Sequence, residues 1–232
     1  MDNPDIAISP LFHLGPVEIT ETVVTTWGIM ALVGIFSWLL SRRLRLQPGA
    51  LQSAMEGVVL AIEDAVSSAA PQNVRQIMPL IASLWIFLVI ANLCGLVPGL
   101  HSPTRDLSAT SALAILVFLS THWYGIHSQG IKAYLKHYLS PSPILLPFHL
   151  ISEVTRTVAL AVRLFGNMMS LEMAALLILI VAGFLAPVPI LMLHIIEALV
   201  QAYIFGMLAL IYVAGGIQSQ QSRQERQGDH DA

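Results

Sequence analysis

Residues 150–217 read LISEVTRTVALAVRLFGNMMSLEMAALLILIVAGFLAPVPILMLHIIEALVQAYIFGMLALIYVAGGI. Two long apolar runs with helical spacing, Leu150 to Leu185 and Ile190 to Gly215, flank Ala186-Pro187-Val188-Pro189, whose prolines end one helix and force a tight turn before the next. At about 1.5 Å per residue the first helix is longer than a perpendicular crossing of a hydrocarbon core of about 30 Å requires. It must tilt or extend beyond the core. Joined by so short a turn, the two helices are expected to lie antiparallel as one long hairpin.

Polar side chains interrupt this hairpin where lipid would lie. The first helix carries Glu153, Arg156, Arg163, Asn167, Ser170 and Glu172, and the second carries His194, Glu197, Gln201 and Tyr203. An ionised group near the bilayer centre costs at least about 2.5 to 3.5 kcal/mol on insertion scales, so each needs a partner, a water-filled cavity or a function. Seven residues make nearly two helical turns, which aligns Arg156, Arg163 and Ser170 in one stripe with Asn167 a turn beyond Arg163. Glu172 falls on the opposite side, about 13 Å further along the axis. In the second helix His194 and Gln201 align, with Glu197 between them at i+3 and i−4 spacing. Glu172 and His194 both lie near the turn, so they can line one pocket open to that side. Glu153 and Arg156, at i and i+3, read as an ion pair near the boundary of the membrane. Arg163 resists any such explanation. It cannot discharge by losing its proton, and no acidic residue stands at i±3 or i±4, so its counter-charge is expected on another element or another protein.

Working outward, the whole chain of 232 residues is 56% hydrophobic and only 11% charged, with a mean hydropathy of +0.73. Soluble domains average about 25% charged residues. A soluble enzyme, a disordered chain and a nucleic-acid binder are therefore poor fits, and the bilayer is the expected solvent. The single cysteine, Cys94, makes neither an internal disulfide nor a Cys-rich metal site. His194 and Glu197 have the spacing of two metal ligands but no third, so no metal and no cofactor is expected.

The remaining elements follow from charge and punctuation. Residues 1–22 are acidic, with Asp2, Asp5, Glu18 and Glu21, and lack the basic start of a cleavable signal peptide. A first span over 23–40 ends at Ser41-Arg42-Arg43-Leu44-Arg45, which by the bias of positive residues to the cytoplasm puts this end inside and the N-terminus outside. Residues 50–70 alternate apolar positions with Glu56, Glu63 and Asp64, as in a helix lying on the cytoplasmic membrane surface. Residues 77–126 hold a second and a third span around an outside loop, Pro98 to Asp106, with Lys132 and Lys136 returning inside; His122 and His127 near that end read as interfacial residues. After the hairpin, 150–217, a polar Gln-rich tail over 218–232 is expected to be cytoplasmic and loosely ordered. The fold class is thus an all-α integral membrane protein: about five spans, one surface helix, and a long tilted hairpin last.

The run Arg163-Leu164-Phe165-Gly166-Asn167-Met168, with Arg156 seven residues before it and Gln201-Ala202-Tyr203-Ile204-Phe205 in the next helix, resembles the a subunit of the F-type ATP synthase membrane sector. Asn92-Leu93, Gly95 and Pro98, then Pro103-Thr104-Arg105-Asp106-Leu107, and Ile151-Ser152-Glu153 extend the likeness through most of the chain. The resemblance implies a stator that conducts protons through two offset half-channels to and from the carboxylates of a rotating c ring, and couples ion flow to ATP synthesis or hydrolysis. It implies as partners the c ring, peripheral-stalk b subunits and the rest of the synthase in a bacterial inner membrane. It further implies that Arg163 faces the ring carboxylate, that Gln201 faces Arg163, and that Glu172 and His194 line the outside half-channel. Two positions depart from the pattern: Thr157 stands where a proline is common, and Glu197 is an extra carboxylate. They leave sodium open as the coupling ion beside the proton.

Other readings fit less well. A secondary transporter would show internal repeats with broken helices. An intramembrane enzyme would need more than Ser170 and His194, which sit in no nucleophile motif. A passive scaffold leaves Arg163 unexplained. No phosphate-binding loop is present, so any nucleotide chemistry belongs to partner subunits and not to this chain.

Overall fold

The computed structural model describes residues 10–14, 17–42, 49–97, 100–129, 146–183, 186 and 188–228. Six helices dominate them: α1 (Glu21–Ser41), α2 (Ala50–Ala69), α3 (Val74–Cys94), α4 (Leu107–Gln129), α5 (Leu146–Ala182) and α6 (Val188–Gly228). All but α2 are long and apolar enough to cross a membrane. The all-α membrane fold with five spans is as expected. A short antiparallel hairpin, β1 (Pro10–Leu14) with β2 (Val17–Thr20), precedes α1 and pairs Phe12 with Ile19 and Leu14 with Val17. The sequence reading assigns no element there; these aromatic and β-branched residues favour strand pairing.

Helix α6 is the axis of the bundle and packs against α2, α3, α4 and α5. Its inward face carries Ala198, Ala202, Phe205, Ala209, Leu210 and Val213, all buried. Without water in the bilayer core, helices associate through close packing, which small residues permit. Ala198, Ala202 and Gly206, four apart, form such a stripe toward α3. A Cβ on Gly206 would lie 1.8 Å from Nε1 of Trp85, so only glycine lets the indole settle on the backbone. The Trp85 ring also stacks on Tyr203, with centroids 6.0 Å apart. By contrast, α1 buries only Ile29 and exposes Trp27, Leu32, Ile35 and Trp38, an arrangement that suits lipid as solvent.

Helix α2 packs Ile62 and Val66 inward and leaves Glu56 exposed, where it accepts a hydrogen bond of 2.8 Å from Gln52. Helix α5 ends as Gly183 adopts φ +84°, the left-handed conformation that closes many helices. Of the expected turn Ala186-Pro187-Val188-Pro189, Pro187 lies outside the described residues and Val188 already opens α6. Lys132 and Lys136 also lie outside them. One expectation is corrected: the tail after 217 is helical as far as Gly228. Its Gln, Arg and Glu residues are good helix formers and no proline interrupts them.

The segment between α3 and α4 is tied down by a buried network. Thr104 donates to Asn92 Oδ1 at 2.8 Å, Asn92 Nδ2 donates to the Ala198 carbonyl at 3.1 Å, and Ser102 donates to the Ala91 carbonyl at 2.8 Å. A 3₁₀ turn, Pro103–Arg105, follows, and Asp106 then caps α4 by accepting from the Ser108 amide at 2.9 Å. Three helices and the loop are thereby held in one register.

Candidate functional site

The polar residues of the bundle fall into three levels. At the end formed by the 95–106 loop, the C-terminus of α5 and the N-terminus of α6, Glu172 is the centre. Its Oε1 is hydrogen-bonded to His101 Nδ1 at 3.2 Å and forms an ion pair with Arg105 Nη1 at 3.2 Å. Its Oε2 is buried and has no hydrogen-bond partner among the described residues. His194, on α6, is buried at 3% exposure, and its Nε2 likewise has no partner there. The imidazole stands beside Gly95, whose added Cβ would meet Nε2 at 3.6 Å and Ser102 Cβ at 3.2 Å. The pair that the sequence placed in one pocket therefore does not pair directly. Glu172 is held by His101 and Arg105 of the loop, and His194 lies beside Gly95.

At mid-depth, Asn167 Nδ2 donates to Gln201 Oε1 at 2.8 Å. Gln201 is 1% exposed, and its amide Nε2 is left without a partner. Arg163 lies near the middle of α5 on its outward face, with Val162 and Gly166. Among the described residues it makes no hydrogen bond and no ion pair. Gln201 thus meets Asn167, one turn from Arg163, and not Arg163 itself. The buried face of α5 carries Leu160, Leu164 and Met168, and Arg163 stands exposed beside it. Glu197 is half-buried and bonds to none of the described residues.

At the opposite end, the expected Glu153–Arg156 ion pair is not formed. Glu153 Oε2 stands 3.2 Å from His122 Nε2 on α4, and the Arg156 guanidinium lies 4.7 Å above the Tyr212 ring of α6. His122 is thus more than an interfacial residue. Both groups have cross-helix partners instead.

Sequence reasoning gave site roles to Arg156, Arg163, Asn167, Glu172, His194, Glu197 and Gln201, but none to the polar side chains of α3 and of the loop that complete the site. His101, Arg105, Asn92, Ser102 and Thr104 carried a signal, since polar residues at a span boundary next to Pro103 were visible. Only their direction was not. Among the described residues, no group of three His, Cys, Asp or Glu side chains is placed to hold a metal ion.

The family model described as ATP synthase A chain matches residues 23–214. The chain is 67% identical over 216 residues to the protein named ATP synthase subunit a 1 of Hahella chejuensis, covering 93% of this chain and 92% of that one. It is 64% identical over 213 residues to ATP synthase subunit a 2 of Pelobacter propionicus, with 92% and 93% covered. To ATP synthase subunit a of Legionella pneumophila it is 54% identical over 215 residues, with 92% and 94% covered. Matched along the bundle that carries the three polar levels, and over nearly the full length of these relatives, the chain belongs to the ATP synthase A chain family.

Proposed function

We propose that this chain is the stator ion-channel subunit of a rotary F-type synthase, passing protons through two offset half-channels to and from carboxylates on a rotating c ring, in a bacterial inner membrane with the N-terminus outside and the C-terminus inside. One observation carries the reading: Arg163 faces outward from the middle of a spanning helix with no counter-charge among the described residues. A guanidinium keeps its proton at any physiological pH, so membrane depth demands an acidic group from a neighbouring protein.

The chemistry follows. A proton arriving on the 95–106 side meets Glu172 and His194, whose buried Oε2 and Nε2 have no hydrogen-bond partner among the described residues. Imidazole can accept a proton at one nitrogen and release one from the other, which suits a relay. A ring carboxylate that takes the proton is neutral and turns into lipid at little cost; ionised, it cannot. On the far side of Arg163 the nearby positive charge favours the ionised carboxylate and promotes release, while the same charge bars a direct leak. The membrane potential supplies about 2.3 kcal/mol per elementary charge per 100 mV, so several ions must pass per nucleotide. Protons are favoured over sodium because Arg105 and His101 already occupy Glu172 Oε1, and a guanidinium at 3.2 Å repels a metal cation.

The test is ATP-driven acidification of inverted vesicles carrying the complete complex. Acidification indifferent to sodium is the expected result. Vesicles that hydrolyse ATP and accumulate sodium without acidifying would overturn the ion. In the same assay Glu172→Gln and His194→Gln are each expected to slow proton transfer by about tenfold to a hundredfold. Their double variant is expected to be no slower than the worse single one; fully additive losses would separate the two residues into independent roles.

A further inference from the structure

The polar level farthest from the 95–106 loop has a use that the fold alone does not require. His122 Nδ1 lies 2.9 Å from the Phe118 carbonyl, which can only accept, so this nitrogen carries a hydrogen. Nε2 then faces Glu153 Oε2 at 3.2 Å. The two groups stand at ion-pair distance, so a proton carried by either one is within reach of the other. The couple borders a cavity of about 30 Å³ whose polar lining includes Thr121, Arg156, Thr157 and Tyr212. One water needs about 10 to 15 Å³, so the cavity has room for about two waters among groups able to bond them. It also reaches Leu160, less than one turn of α5 before Arg163. Arg156 from α5 and Tyr212 from α6 line the same cavity and meet each other in a cation–π contact.

We propose that His122 and Glu153, with the cavity they line, form the proton-exchange station of the half-channel opposite the 95–106 loop. During ATP hydrolysis the station takes a proton from water on the nucleotide side and hands it through the cavity toward the ring carboxylate; during synthesis the transfer reverses. No bond other than O–H and N–H is made or broken. The proposal rests on the channel reading above and deepens it.

Asparagine and glutamine at position 122 divide the histidine's hydrogen bonds between them. His122→Asn places an amide where Nδ1 stood, His122→Gln one where Nε2 stood, and neither titrates. Initial rates of ATP-driven acidification are measured in inverted vesicles of the complete complex, with the pH varied separately outside, on the nucleotide side, and in the lumen. Both variants, and Glu153→Gln, are expected to lose at least about tenfold in rate at high external pH, where protons are scarce, and less at low pH. Dependence on lumenal pH is expected to match that of the unaltered complex. The double variant His122→Gln with Glu153→Gln is expected to be no slower than either single one. If either position-122 variant keeps the unaltered external-pH profile, or if neither assembles with the ring, the pair is structural and the proposal fails. A changed lumenal dependence instead would assign the pair to the other half-channel and also end it. Arg163→Ala in the same vesicles separates the two failures. Normal pumping there would sink the channel reading itself, whereas loss there beside normal profiles at position 122 would sink only the station.

Discussion

Arg163→Ala is expected to reduce ATP-driven acidification of inverted vesicles to background while the complex remains assembled. The arginine sits outward on α5 and makes no hydrogen bond or ion pair with any described residue, so its removal breaks no internal contact. Folding should therefore survive, and transport should not. Without the guanidinium, nothing on this helix favours the ionised ring carboxylate at the point of release. Nor does any fixed charge separate the half-channels, so passive proton leak through membranes stripped of the nucleotide-binding sector is expected to rise. Arg163→Lys keeps the charge but loses the delocalised fork and the guaranteed protonation, because a lysine at membrane depth can discharge. It is expected to fail in coupling as well. The decisive measurement pairs the acidification rate with co-purification of the ring: an assembled Arg163→Ala complex pumping at the normal rate would end the proposed role.

A second large effect is expected at Gly206, where the consequence is structural. Its Cβ would lie 1.8 Å from Trp85 Nε1, 2.2 Å from Cδ1 and 2.5 Å from Cε2. The indole has no room to retreat, since it is 8% exposed, stacks on Tyr203 and donates to the Tyr203 carbonyl at 3.4 Å. Alanine must push α3 away from α6. Overpacking of this kind costs typically about 1 to 3 kcal/mol, and here it also strains the Asn92 bond to the Ala198 carbonyl that sets the 95–106 loop. Gly206→Ala is expected to lower the thermal midpoint of the purified complex and its yield, with slower transport in whatever assembles. Gly34→Ala is the matched control, because a Cβ there meets nothing within 4 Å. Adding Trp85→Ala to Gly206→Ala should restore part of the loss, as expected of two residues sharing one space. Equal stability of Gly206→Ala and Gly34→Ala would refute the close approach.

The two predictions draw on different layers of information. Arg163 was legible from the chain, since a permanent charge deep in an apolar helix needs no neighbour to be recognised as costly. Gly206 was not: a glycine in an apolar helix has many explanations until the indole that lies on it is seen.

The same division runs through the site. Spacing placed Arg156, Arg163 and Asn167 on one side of α5, and His194 with Gln201 on one side of α6, because 3.6 residues per turn is a property of a single helix. It could not say that Glu153 turns to His122, that Gln201 meets Asn167, or that Glu172 is held by His101 and Arg105. Those choices depend on how far each helix is rotated about its axis and slid along it. Packing decides both, through the small stripe Ala198, Ala202, Gly206 against Trp85 and through the loop pinned by Asn92 and Thr104. By itself, then, the sequence determined the solvent, the spanning helices, the long hairpin and the residues too expensive to be incidental, since hydrophobicity and helical period are local. Only the tertiary structure decided which of them are partners, because a side-chain contact between helices is fixed by the packing of residues far apart in the chain.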